Sequence, residues 1–169
     1  MKYDVIIIGG DQRDAEFGLQ YLKAGKTVCL IAEGGIIGSP QARAAYAKAG
    51  GIILMADKVE KVDVNPDGTV DSLRTANLGA TPLKADLYIL ASGRFVAGGL
   101  KSDMTHVWEP IFGADVQFAE DPESWCKEDF FAPQPFESFG VKTDNDGHVL
   151  KEGKPIANLI AMGSIIAKQ

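Results

Sequence analysis

The sequence predicts an α/β fold built on a parallel sheet, and three features carry that expectation. An apolar run, Val5-Ile6-Ile7-Ile8, passes directly into Gly9-Gly10. Further apolar runs alternate with segments whose apolar residues recur at helical spacing. A late run, Leu87-Tyr88-Ile89-Leu90-Ala91, then breaks at Ser92-Gly93. Strands covered on both faces read as unbroken apolar runs, and parallel strands need crossover helices between them.

The first strand feeds Gly9-Gly10-Asp11-Gln12-Arg13-Asp14, a degenerate GxGxxG turn of Rossmann-like type. In that arrangement the first glycine makes the tight turn, the second admits a pyrophosphate and the third lets the helix lie close to the strand. Gly9 fits the first place, whereas Asp11 and Asp14 hold the other two. Like charges about 4 Å apart repel by roughly 1 kcal/mol in water and about 4 kcal/mol at an effective dielectric near 20. The aspartates therefore oppose a diphosphate. Alternatively they serve the helix itself, with Asp11 as its cap and Asp14 in its first turn, and Arg13 offsets part of the repulsion.

Ala15, Gly18, Leu19 and Leu22 follow at helical spacing, with Gly25 as a stop. Thr27 to Ile31 is a buried strand whose exit, Ala32-Glu33, places a carboxylate about 20 residues beyond the turn, where a dinucleotide site binds a ribose hydroxyl. Ser39-Pro40 starts a second helix carrying Ala42, Ala45, Tyr46 and Ala49, closed by Gly50-Gly51. Ile52 to Leu54 completes a βαβαβ core over 3–54. Residues 57–84 are expected to form an antiparallel meander turning at Asn65-Pro66-Asp67-Gly68, with its third strand near Leu78 to Leu83. A return strand is assigned to 86–92, an irregular segment to 94–157 and a last strand to 158–163, all within one domain spanning 1–169.

The irregular segment holds Trp108, Phe112, Phe118, Trp125, Phe130, Phe131, Phe136 and Phe139 among Pro110, Pro133 and Pro135. Packing accounts for these aromatics, with flavin stacking or a partner surface as the alternative. Asp144-Asn145-Asp146-Gly147 is a hairpin turn between Val141-Lys142-Thr143 and His148-Val149-Leu150.

Composition narrows the classes. The 169 residues are 46% apolar and 24% charged, as in a soluble globular domain. A net charge of −6 and a pI near 4.9 argue against nucleic acid as a partner. No long apolar span suggests membrane insertion, and the opening Met1-Lys2-Tyr3-Asp4 leads straight into a strand, so a cytoplasmic protein is expected. Cys29 falls within an apolar strand and Cys126 in an acidic stretch, which is no disulfide framework. His106 and His148 lack zinc-ligand spacing, and GxSxG and Walker patterns are missing, so neither a metal site nor a catalytic side chain is assigned.

Several segments together resemble one family. They are Tyr3 to Gly10 with Gly18, Leu90-Ala91-Ser92-Gly93-Arg94-Phe95 with Gly98-Gly99-Leu100, and Glu109-Pro110-Ile111-Phe112-Gly113. Asp129-Phe130-Phe131-Ala132-Pro133-Gln134-Pro135, Phe139-Gly140-Val141 and Asn158 to Ser164 extend the match. The sequence resembles the two-dinucleotide-binding-domain flavoproteins, and within them the B subunits of anaerobic glycerol-3-phosphate dehydrogenase. The resemblance implies an FAD/NAD(P)-binding type of fold and a flavin, FAD or FMN, at Gly9, Gly10, Glu33, Ser92, Gly93, Gly163 and Ser164. It also implies an oxidoreductase passing electrons toward quinone through partner subunits peripheral to the inner membrane. Beside the aspartates, the sequence departs from the family where Gly34 to Gly38 bridge a gap that family members fill with a substrate segment, and where five residues after Ser164 stand in place of a flavin-contacting loop and helix. These departures set an alternative expectation: a catalytically inactive core acting as an assembly or interaction module, with a homodimer as one way to cover its sheet.

Overall fold

The computed structural model describes residues 1–9, 12–34 and 39–168. Its main sheet joins β1 (Lys2–Gly9), β2 (Val28–Ala32), β3 (Ile52–Met55), β6 (Lys84–Leu90), β11 (His148–Lys151) and β12 (Lys154–Ala161) in the order β11-β12-β6-β1-β2-β3. Every pairing from β12 to β3 is parallel, and β11 alone runs antiparallel at its edge. The fold is α/β and Rossmann-like, as the apolar runs predict.

Side-chain alternation divides the core between the sheet's faces. Val5, Ile7, Val28, Leu30 and Ile89 point toward α1 (Gln12–Lys23) and α2 (Pro40–Lys48). Ile6, Ile8, Cys29, Ile31, Tyr88, Leu90 and Leu159 belong to the cluster on the opposite face. Each fully buried aliphatic side chain contributes about 1.5–3 kcal/mol. Cys29 is the small buried residue expected, and desolvation pushes its thiol pKa up to about 12.

Local rules set the helix ends. Ser39 Oγ accepts from Ala42 N at 3.1 Å, and Pro40 stands in the first turn of α2. Gly25, at φ +82°, ends α1 while Lys26 N reaches back to Tyr21 O at 3.0 Å. The expected cap Asp11 lies outside the described residues. Gly18 supplies the close helix–strand approach: a Cβ there would sit 2.9 Å from the Tyr46 ring and 3.3 Å from Ile7 Cδ1. Tyr46 is more than part of an apolar stripe, because its buried hydroxyl donates to Val28 O (3.2 Å) and Ile52 O (2.9 Å). It ties together the starts of β2 and β3, where two successive crossovers end.

The meander differs from expectation. β4 (Val59–Val64) and β5 (Val70–Thr75) pair around the Asn65–Gly68 turn, but residues 76–80 are turns and the anticipated third strand reduces to a Leu73–Leu83 bridge before β6. The backbone groups of Leu73 and Leu83 bond each other at 2.8 Å, and from Lys84 onward the chain is claimed by the parallel register with β1. The last strand begins at Lys154 rather than 158, because β11 and β12 form their own hairpin through Lys151 and Lys154. The Asp144–Gly147 turn does form, closed by Asp144 N on His148 O at 3.0 Å. Most of the remaining pairing of β11 is nevertheless with β12.

Residues 94–157 contain short pairs rather than one layer. β7 (Lys101–Ser102) pairs with β8 (Val107–Trp108), and β9 (Val116–Gln117) with β10 (Gly140–Val141). Phe112 and Phe139 are buried, and Phe118 and Trp125 meet Phe139 edge-on. Trp108 is 41% exposed, and the packing expectation fails outright for Phe130 and Phe131, which are 85% and 93% exposed. Gln134 explains their display: its side chain bonds Lys127 N, Asp129 O and Ala132 O, folding the loop on itself without reaching the core.

Candidate functional site

Parallel strands bring their carboxyl ends to one edge, and the gap where successive crossovers leave in opposite directions becomes a ligand crevice. Here Gly9 pairs with Ala32, Ile8 with Leu90, and Leu90 with Ala161, so four strand ends align. A cleft of about 1150 Å³ opens above them. Its lining includes Gly9, Glu33, Ser92, Gly93, Gly163 and Ser164, the described residues that the sequence singles out. Gly10 lies outside the described residues.

The two sides of the cleft are built differently. Ser92-Gly93 and Gly163-Ser164 follow β6 and β12, held there by Ala91 N on Ile8 O (2.7 Å) and Met162 N on Leu90 O (2.9 Å). Gly93 and Gly163 have φ of +72° and +77°, the left-handed region that favours glycine. A Cβ on Gly93 would lie 2.7 Å from Ala97 Cβ and 3.7 Å from Ser164 Oγ, which measures how closely these turns approach. Ser92 Oγ is buried without a hydrogen-bond partner among the described residues.

At the start of α1, Asp14 is 4% exposed. Its carboxyl carbon lies 2.8 Å from the place a Gly9 Cβ would take, and Ala91 O lies 3.0 Å from the same point. The side chain thus folds back over the glycine turn. Asp14 stands in the first helical turn, where a carboxylate favours the helix dipole. That half of the helix-serving expectation describes its position, and the same position fills the space above Gly9.

Glu33 extends from the end of β2 with its carboxylate exposed, and its Oε2 lies 4.0 Å from a Cβ position on Gly98 across the cleft. Sequence reasoning missed Asp57, beyond β3, whose backbone N–H bonds Ala32 O at 3.1 Å and so fixes it beside the exit of β2. Asp57 is 2% exposed; its Oδ1 accepts from Lys58 N (2.9 Å) and Asn77 N (3.0 Å), while Oδ2 has no partner among the described residues. The signal available was positional: residues just past parallel strands line the crevice.

Glu109 was also unassigned in role. It is 1% exposed, and its carboxylate accepts from Ile111 N (2.7 Å), Phe112 N (2.8 Å) and Ala114 N (3.2 Å). Burial raises its pKa, opposed by these backbone bonds. The carboxylate organises the Pro110–Ile111 loop that forms a wall of the cleft. Away from the cleft, Asp144, Asp146 and His148 bring potential ligand atoms within 4.8 Å of one another. Asp144 already accepts from the N–H groups of Asp146 and His148, as a turn carboxylate does.

A family model described as FAD binding domain matches residues 26–169. The chain belongs to this FAD-binding family. It is 36% identical over 124 residues to the B subunit of anaerobic glycerol-3-phosphate dehydrogenase from Vibrio vulnificus, a match covering 72% of this chain and 28% of that protein. The B subunit of the same dehydrogenase from Pectobacterium carotovorum is 33% identical over 121 residues, again 72% of this chain and 28% of the relative. The chain therefore spans under a third of the length of these relatives. Among solved structures, a geranylgeranyl bacteriochlorophyll reductase-like protein of Thermoplasma acidophilum aligns with TM-score 0.47 at 16% identity, covering 54% of this chain and 39% of that one. THI4 of Thermovibrio ammonificans aligns with TM-score 0.46 at 17% identity, covering 57% and 59%. No helix among the described residues is long and apolar enough to cross a membrane.

Proposed function

We propose that this FAD-family chain is the nucleotide-binding core of a flavoprotein oxidoreductase subunit of the glycerol-3-phosphate dehydrogenase (quinone) type. Its sequence likeness to the B subunits over 72% of its length supports this reading. In that role the core works in the cytoplasm, with partner subunits placing the assembly beside the inner membrane. Glu33 would accept from a ribose hydroxyl, and the Ser92-Gly93 and Gly163-Ser164 turns would let a cofactor approach backbone. When bound, FAD or FMN supplies the redox chemistry, and the protein supplies binding, orientation and electrostatics.

The fit of a diphosphate fails at one point. Asp14, at the third glycine place, packs its carboxyl group over Gly9 in the first turn of α1, whose N-terminal end would face a pyrophosphate. The observation favours a second reading, in which the chain holds no flavin tightly and acts as an assembly or interaction module. Half-buried Leu87, Ile160 and Met162, with Phe17 and Tyr21, supply apolar surface on the helix side of the sheet for such a role, including in a homodimer.

Visible absorbance of freshly purified protein, followed by titration with FAD and FMN, separates the readings. Stoichiometric flavin overturns the module reading. A colourless protein that ignores both flavins overturns flavin-dependent activity for this chain.

A further inference from the structure

The cleft has groups suited to a sugar and a base, while its inner end carries a carboxylate in the first turn of α1. Asp14 there is 4% exposed and packed over Gly9. A phosphate in this position faces the positive end of the first helix. Asp14 stands in the first turn of that same helix and lines the cleft, so the protein brings its own anionic group.

The other end is open to a ligand. Glu33 presents an exposed carboxylate, and an ionised carboxylate is an acceptor that suits the hydroxyls of a vicinal diol. Beside it stands Asp57, 2% exposed, with Oδ2 lacking a partner among the described residues. A buried acceptor without a donor is costly, so an amino group arriving with a ligand would relieve it. Ile8, Ile31 and Val59 add apolar lining for a flat ring. Arg13, Lys58 and Lys101 share the lining with Asp14, Glu33, Asp57 and Glu60, which is not a charge balance built for a diphosphate.

We propose that the cleft binds a phosphate-free nucleoside, with the ribose diol at Glu33 and the base toward Asp57 and Val59, and that Asp14 serves as a built-in phosphate surrogate that selects against nucleotides. This inference rests on the second reading above, in which the chain holds no flavin tightly.

The test is calorimetric titration of the full chain at low ionic strength with adenosine, ADP and FAD. The wild type is expected to bind adenosine at least about tenfold more tightly than ADP, the ratio that one like-charge contact produces. Asp14→Gly should reverse the order. Asp14→Asn, which keeps the side-chain shape in case glycine frays the helix, should move the ratio the same way by less. Glu33→Gln should weaken adenosine and ADP alike and leave their ratio unchanged. ADP binding as tightly as adenosine to the wild type overturns the proposal, as does a ratio indifferent to both Asp14 variants. Failure of adenosine to bind overturns it while leaving the flavin-free reading in place. Stoichiometric FAD on the purified protein removes both.

Discussion

The two sides of the cleft have met the same demand with different residues. After β6 and β12 the backbone enters the left-handed region at Gly93 and Gly163, leaving the strand ends open to a ligand. After β1 the chain keeps Gly9, yet it directs Asp14 back over that glycine. The first side is governed by backbone conformation, the second by one side chain. A dinucleotide fold can therefore retain its architecture while the chemistry at its phosphate end changes, because β-strand pairing and helix packing do not depend on what the turn binds.

The largest expected effect comes from removing the difference. Asp11→Gly combined with Asp14→Gly should raise FAD affinity by about tenfold or more, since each carboxylate opposes a diphosphate by roughly 1–4 kcal/mol depending on the local dielectric. Equilibrium titration followed by flavin fluorescence reads this directly, and unchanged affinity would mean that repulsion at the turn is not the limiting defect.

The next variant attacks the wall between the two sides. Glu109→Gln should lower stability by about 1–3 kcal/mol, because an amide NH₂ would face backbone N–H groups that now find carboxylate oxygens. Denaturant unfolding measures it, and no loss would show that the loop does not depend on this acceptor. The pH response has a defined sign. The folded-state pKa of Glu109 is raised by burial, so its contribution favours the folded state below the unfolded pKa and is lost as pH rises through the folded one. Wild-type stability should thus fall less than that of Glu109→Gln when pH is lowered from neutrality, and equal slopes would remove Glu109 from the pH response.

Imposing a side chain on the glycine side gives a smaller effect. Gly93→Ala should cost about 1–2 kcal/mol for the left-handed conformation, with a further penalty from Ala97 Cβ at 2.7 Å. Thermal melting should register a drop of about 2–8 °C. An unchanged midpoint would show that this turn relaxes freely, and the contrast between the two sides would vanish. The smallest expected change is in the stability of Glu33→Gln, within about 0.5 kcal/mol because the side chain is exposed. A larger loss in unfolding experiments would make Glu33 a structural residue.

Much of the architecture was legible in the chain because it follows from local patterns. Ser39-Pro40 starts α2 through a cap that needs only its own next turn, and Gly25 ends α1 by its own backbone conformation. The strand end at Ser92-Gly93 is marked by the break in an apolar run, and it lines the cleft as its position suggests. Legibility failed where a segment had competing partners. Leu83 pairs with Leu73 before the chain joins β1, so the expected third meander strand does not develop. Phe130 and Phe131 have the composition of core residues, but the bonds of Gln134 close their loop away from the core.

The sequence by itself determined the parallel-sheet fold, its two helices and main parallel strands, and the glycine-bearing turns, since periodicity and backbone preference act over a few residues. It also named Asp14 as the anomaly. Only the tertiary structure decided what that aspartate does, because its side chain could cap, repel or fold over Gly9 until α1 was fixed against β1 through Gly18. The roles of Asp57 and Glu109 were decided at the same level. Burial and hydrogen-bond satisfaction belong to the packed surroundings of a group, and residues far apart in the chain supply them.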